Sequence, residues 1–284
     1  MRGYIGWLRK DLFADEAYDR SRTELELAQY RFIVDNRAVI DERGWIVQGD
    51  ERHFTGDTVS GWSRQYEYAY AAANIDPDDR TILDVGSGYT FFASWLAKRG
   101  HQVTCSDLFD LGALYEKSDV EFVRDDICNT GIREQFDCIY CISVLEHIPD
   151  KERAVENMFK LLKPDGKLVL TLDCALNRFP GDTPSVEHLY LLINKINESF
   201  QTPPEQIDFS RTGDMVTTES FQSHEFWRLP WQGTEAASPL GRLKRLVRRS
   251  LPAPRPLIGV FLGTWQRPRP AVPDTGEPPS SERL

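Results

Sequence analysis

The sequence predicts a three-layer α/β domain built on a mostly parallel sheet. Three observations carry that expectation. Short β-branched runs alternate with helical patterns between residues 81 and 173, the spacing of βαβ units. Residues 137–142 are almost continuously apolar, as a strand covered on both faces must be. The first of these strands runs into a glycine-containing turn and then a helix, the place where such sheets open a binding crevice.

Taken in order, residues 15–37 predict a helix, with Leu25, Ala28, Phe32 and Ile33 at roughly helical spacing. Val39-Ile40 and Trp45-Ile46-Val47 flank Asp41-Glu42-Arg43-Gly44 and predict a hairpin. Residues 62–75 predict a helix that ends before Asp76-Pro77. Strands follow at Thr81–Val85, Gln102–Cys105, Val120–Val123, Asp137–Ile142 and Lys167–Leu172. Helices are expected at 90–99, near 110–117, at 150–162 and at 184–200. A late strand is expected from Leu257. The last 17 residues carry five prolines and predict a disordered tail, residues 268–284. The resulting division is an extension over the site (1–75), a main domain (76–267) and the tail.

Composition narrows the function. The 284 residues carry a net charge of −10, which argues against general nucleic-acid binding. The charge is uneven: residues 239–270 hold eight basic residues and no acidic one. Within them Leu240, Leu243, Leu246, Val247 and Leu251 interleave with arginines and a lysine. That pattern at 240–251, inside a basic segment 239–256, suits either a solvated helix or peripheral contact with an anionic membrane surface. No apolar run approaches the length of a membrane span, and MRGYIGWLRKDLF lacks a secretory apolar core. Five cysteines form no disulfide framework, so a reducing cytoplasm is expected. Cys138 and Cys141 lie three apart on a strand and point to opposite faces, which fits core thiols better than a metal or redox pair.

The chemistry concentrates in Asp84-Val85-Gly86-Ser87-Gly88-Tyr89-Thr90. Glycines there permit a sharp bend and close approach to a ligand. The next strand ends in Ser106-Asp107, placing a carboxylate where nucleoside-binding α/β folds hold a ribose diol. A dinucleotide fingerprint needs a third glycine at position 91, and Phe91 stands there. That weighs against an NAD-dependent oxidoreductase. It favours a ligand with adenosine and no pyrophosphate.

With these residues in place, the chain resembles class I S-adenosylmethionine-dependent methyltransferases over about residues 80–175. The resemblance rests on ILDVGSGYT, VTCSDL, FVRDDI, FDCIYCISVLEHIPD and LLKPDGKLVLTL, in that order. It implies a Rossmann-like methyltransferase fold with seven strands, the last antiparallel, for which residues 257–265 are the candidate. It implies S-adenosyl-L-methionine as cofactor. By position, Asp84 orients the loop, and Gly86, Ser87 and Gly88 pass the methionine moiety. Asp107 binds the ribose and Leu108 packs on adenine. Asp126, with Asp125 as alternative, accepts from the adenine amino group beside Ile127, and Ser143 lies beneath the cofactor.

Methyl transfer to oxygen needs a proton acceptor, and His147 is the only histidine inside these blocks. It is read either as the base, with Glu146 as partner, or as a structural turn residue. Some ubiquinone-pathway and RNA 3′-end members hold a metal with E-x-x-E-H here; Ser143 replaces the first Glu, so no metal is expected. Trp62, Tyr66 and Tyr70 recur every four residues, as packing or as a pocket wall. The acceptor implied is a small molecule, sugar or lipid-linked glycan. A non-catalytic nucleoside-binding module of the same fold is the alternative. Nothing in the sequence sets an oligomeric state.

Overall fold

A computed structural model describes residues 2–14, 16–42, 63–88, 91–177, 183–221 and 257–270. The eight strands are β1 (Ile5–Trp7), β2 (Thr81–Val85), β3 (Gln102–Asp107), β4 (Val120–Arg124), β5 (Phe136–Ile142), β6 (Leu162–Ala175), β7 (Ile207–Asp208) and β8 (Ile258–Gln266). They form one sheet in the order β4-β3-β2-β5-β6-β8-β1-β7. β2 to β6 run parallel, while β8 lies antiparallel to β6 from Lys167↔Gln266 to Ala175↔Ile258. The late antiparallel strand therefore stands where expected. The strand count does not: the described residues form eight rather than seven. Ile5–Trp7 adds antiparallel to β8, and Ile207–Asp208 pairs parallel with β1 at the edge. Part of the N-terminal extension thus belongs to the sheet itself.

Helices α1 (Glu16–Asp35), α2 (Arg37–Glu42), α3 (Arg64–Asn74) and α4 (Phe92–Ala97) precede or interrupt the early strands, and α5 (Lys151–Leu161) and α6 (Val186–Phe200) follow. Strand alternation divides the core by face. Ile82, Cys138, Tyr140 and Val169 pack toward Leu25, Tyr68, Phe92 and Leu96 of α1, α3 and α4. Leu83, Ile139, Cys141 and Leu170 pack toward Val155 and Met158 of α5 and Leu189 and Ile193 of α6. Cys138 and Cys141 fall on opposite faces as expected, and all five cysteines are free thiols.

Two local expectations are corrected. Val39-Ile40 lies in α2, not in a hairpin strand. Asn36 stands between α1 and α2, its backbone N–H and its side-chain Nδ2 both donating to Phe32 O at 3.0 Å, and the chain continues as helix from Arg37. The other half of that hairpin lies outside the described residues. Near 110–117 only a 3-10 turn forms, Gly112–Leu114. Among the described residues no helix is long and apolar enough to cross a membrane. The basic segment 239–256 and Trp62 lie outside the described residues. Tyr66 stacks on Tyr18 of α1 with centroids 5.7 Å apart, and the buried Tyr70 bonds Tyr4 O and Thr264. These two tyrosines fasten α3 to its neighbours.

Candidate active site

The site is built at the carboxyl ends of β2, β3, β4 and β5. After Val85 the chain turns with Gly86 at φ 72° and Gly88 at φ 54°, conformations that cost a side-chain-bearing residue about 1–2 kcal/mol. Gly86 N and Ser87 N both donate to Ser106 O, at 2.8 and 3.1 Å. Asp107 is then held from two sides: Gly88 N donates to Oδ2 at 3.0 Å and Phe109 N to Oδ1 at 2.9 Å. A side chain on Gly86 would place its Cβ 2.4 Å from Val144 Cγ1, so the turn is pressed against the segment after β5.

In front of this turn lies a cavity of about 1020 Å³. Of the residues expected to meet a cofactor, Gly86, Gly88, Asp107, Leu108, Asp126 and Ile127 line it, and so does His147. Asp84, Ser87, Ser143 and Glu146 do not; all four are buried. Asp126 caps the turn Ile127–Asn129, accepting from Cys128 N at 2.9 Å and Asn129 Nδ2 at 3.1 Å. Asp125 also lines the cavity, and its Oδ1 accepts from Gly131 N at 2.8 Å. Among the described residues, five aspartates line the cavity (Asp107, Asp110, Asp125, Asp126, Asp150) and no lysine or arginine does. Such a wall suits a cation and repels a pyrophosphate. Phe91 sits buried at the start of α4 against Tyr68, 5.2 Å between centroids, filling the close-packing position that a dinucleotide fingerprint gives to glycine.

Asp84 lies under the turn. Burial, with a smaller contribution from Asp107, pushes its carboxyl up to about 8 although the Tyr140 phenol opposes the rise. A folded-state value above the unfolded value of about 3.9 means that the unfolded chain loses this proton first. Asp84's contribution to stability is therefore full below about pH 4 and declines as pH rises to about 8. Asp84→Asn is expected to flatten that decline and to leave the ligand-free protein more thermostable than wild type at pH 8. Melting curves at pH 6 and 8 check this; an unchanged pH slope would refute the protonated Asp84.

Glu146 and His147 share one 3-10 turn, Leu145–His147, yet they diverge. His147 is exposed and lines the cavity. Glu146 is 1% exposed and turns toward β6, where Asp173 N donates to its Oε1 at 3.4 Å. Burial and then the Asp173 carboxylate hold Glu146 well above the ordinary carboxylate range. That environment disfavours its charged form, which suits a hydrogen-bond donor better than a base. Among the described residues no three His, Cys, Asp or Glu side chains group as metal ligands.

Ser143 is the first residue past β5 and adopts φ 47°. Its Oγ donates to Glu67 Oε2 at 2.6 Å, and Glu67 Oε1 pairs with Arg64 Nη1 at 2.6 Å. The sequence did not single out Arg64 or Glu67. Their only signal is an i,i+3 charge pair on an otherwise apolar helix face.

A family model described as "Methyltransferase domain" matches residues 83–170, the stretch that carries the glycine turn, Asp107, Asp126 and His147. Residues 83–170 therefore form a methyltransferase domain. The family's cofactor is S-adenosyl-L-methionine. The ubiquinone biosynthesis O-methyltransferase of Xanthomonas axonopodis pv. citri (strain 306) is 28% identical over 157 residues, covering 52% of this chain and 62% of the relative. The protein of the same name from Coxiella burnetii (strain RSA 331 / Henzerling II) is 27% identical over 164 residues, covering 51% and 68%. The methyltransferase chain therefore spans less than two thirds of the Xanthomonas relative. Among solved structures, the N-methyltransferase NodS of Bradyrhizobium japonicum WM9 with S-adenosyl-l-homocysteine aligns at 15% identity and TM-score 0.47, over 80% of this chain and 96% of that one.

Proposed function

We propose that this chain transfers the methyl group of S-adenosylmethionine to an oxygen of a small-molecule, sugar or lipid-linked acceptor. The observation that carries the cofactor half is the Asp107 carboxylate, held by Gly88 N and Phe109 N in a cavity whose charged lining residues, among those described, are all aspartates. The glycine turn fits the same group, because Gly86 and Gly88 bring bare backbone to the cavity wall. Oxygen as the target is supported by the names of the two relatives.

In this reading Asp107 accepts from both ribose hydroxyls and Leu108 packs on the adenine. Asp126 receives the adenine amino group beside Ile127, with Asp125 as the alternative. The backbone of Gly86 to Gly88 follows the methionine tail, and Arg64, tied to Ser143 beside the turn, faces the tail carboxylate. The cofactor, once bound, supplies a methyl group already activated on a sulfonium. The residues therefore have two tasks: to align the acceptor oxygen and to remove its proton. Alignment alone is worth several kcal/mol, roughly 7–11 in ideal intramolecular cases. His147, lining the cavity with its imidazole exposed, takes the hydroxyl proton on a ring nitrogen.

His147→Asn is expected to leave cofactor affinity within about threefold and to slow methyl transfer by roughly 10²–10⁴. Equal transfer rates for variant and wild type would remove His147 from the chemistry. The acceptor itself is tested by comparing metabolites of cells with and without this chain. A species lighter by one CH₂ should accumulate in the latter. Purified protein should methylate that species, and failure to do so would overturn the assignment.

A further inference from the structure

A buried ion pair and two hydroxyls join α3 to the carboxyl ends of β5 and β6. Glu67 has a fully buried side chain, 0% exposed, and Arg64 is 13% exposed. Glu67 Oε1 takes Arg64 Nη1 at 2.6 Å; Oε2 accepts from Ser143 Oγ at 2.6 Å and from Thr171 Oγ1. Arg64 Nη1 also donates to Ser143 Oγ. Ser143 N in turn donates to Thr171 O at 2.9 Å and Oγ1 at 3.1 Å.

A carboxylate this deep is tolerated only when paired and fully hydrogen-bonded. Burial pushes Glu67 up, but the Arg64 guanidinium and the Ser143 and Thr171 hydroxyls outweigh it and hold it below the ordinary carboxylate value. The pairing thus favours the charged form, and two groups beside the site are fixed by it. One is Ser143, whose φ of 47° is uncommon for a residue with a side chain and persists only where the surroundings over-determine it. The next residue, Val144, is the wall against which Gly86 is packed. A second is Arg64, whose long side chain is pinned at one Nη by the pair.

We infer that Glu67 is a positioning residue: by anchoring Arg64 and Ser143 together, it sets the affinity of the site for the amino-acid tail of the cofactor and leaves the adenosine end untouched. The inference rests on the cofactor reading above. It assigns tail recognition to a buried carboxylate that touches no ligand itself, contributed from a helix 76 positions before Ser143 in sequence.

The adenosine residues stand apart from this network. Neither Asp107 nor Asp126 bonds a member of it: Asp126 is held by donors of its own turn, and Asp107 by Phe109 N of its own loop and by Gly88 N of the glycine turn. Two ligands therefore separate the two ends: S-adenosylhomocysteine, which has the tail, and 5′-methylthioadenosine, which lacks its ammonium and carboxylate. Calorimetric titration of Glu67→Gln, an isosteric change, is expected to weaken S-adenosylhomocysteine by at least about tenfold. Binding of 5′-methylthioadenosine should stay within about twofold, which also shows that the variant is folded. Thr171→Val, which removes one donor to Glu67, should give a smaller loss with the same selectivity. Equal weakening of both ligands would make Glu67 a general structural residue, and unchanged or tighter S-adenosylhomocysteine binding would remove its positioning role; either overturns the inference. Wild-type protein that bound neither ligand would overturn the cofactor reading as well.

Discussion

Gly86→Ala is expected to abolish measurable cofactor binding and to lower the thermal midpoint by roughly 4–20 °C. Two costs add. Gly86 sits at φ 72°, where a Cβ costs about 1–2 kcal/mol. The new methyl would also lie 2.4 Å from Val144 Cγ1 and 2.7 Å from Cγ2, an overpacking that typically costs about 1–3 kcal/mol. At roughly 2–4 °C per kcal/mol for a domain of this size, the sum gives the stated shift. Relief of the clash moves either Val144 or the turn. The turn carries the N–H groups of Gly86 and Ser87 that bind Ser106 O, and the Gly88 N–H that orients Asp107. Melting curves and titration with S-adenosylhomocysteine check both effects. Val144→Ala in the same chain should recover the steric part of the stability loss and leave the φ cost. No recovery would show that the contact with Val144 is not the cause.

Asp107→Ala has the second largest expected effect, a loss of on the order of 100-fold in cofactor affinity. A charge-assisted hydrogen bond contributes roughly 1.5–3 kcal/mol, and this carboxylate is aligned in advance by Gly88 N at 3.0 Å and Phe109 N at 2.9 Å. Alanine removes the ribose acceptor and also frees the Gly88 N–H. Asp107→Asn keeps the shape and part of the bonding, and should fall between alanine and wild type. The order wild type, Asn, Ala in calorimetric affinity is the check. Indifference to both substitutions would place the ribose elsewhere in the cavity.

Much of this arrangement was legible from local pattern. The β-branched runs at 81–85, 102–105, 120–123, 137–142 and 167–172 each became a strand of the parallel sheet, because buried parallel strands have little freedom in composition. The glycine turn and Asp107 were legible because backbone conformation and ribose chemistry restrict the residue type at each position. Ile5–Trp7 was not, since three residues show no period and the strand exists only through pairing with Gly6↔Leu262 and Trp7↔Phe261 far along the chain. Val39-Ile40 misled because β-branching favours strand, whereas the helical run of α1 resumes at once in α2. Ser143 was expected beneath the cofactor, but its hydroxyl is committed to Glu67. No spacing rule links residues so far apart. Glu146 stood beside His147 in sequence and parts from it in space, because the tight turn sends one side chain toward β6 and the other to the cavity.

The frame makes one claim that does not depend on the acceptor: an adenosine site whose aspartates disfavour a pyrophosphate. Isothermal titration of the purified chain with S-adenosylmethionine, S-adenosylhomocysteine and NAD tests it directly. The expected result is saturable one-to-one binding of the first two and none of NAD. Binding of NAD with no heat from either of the others would contradict it.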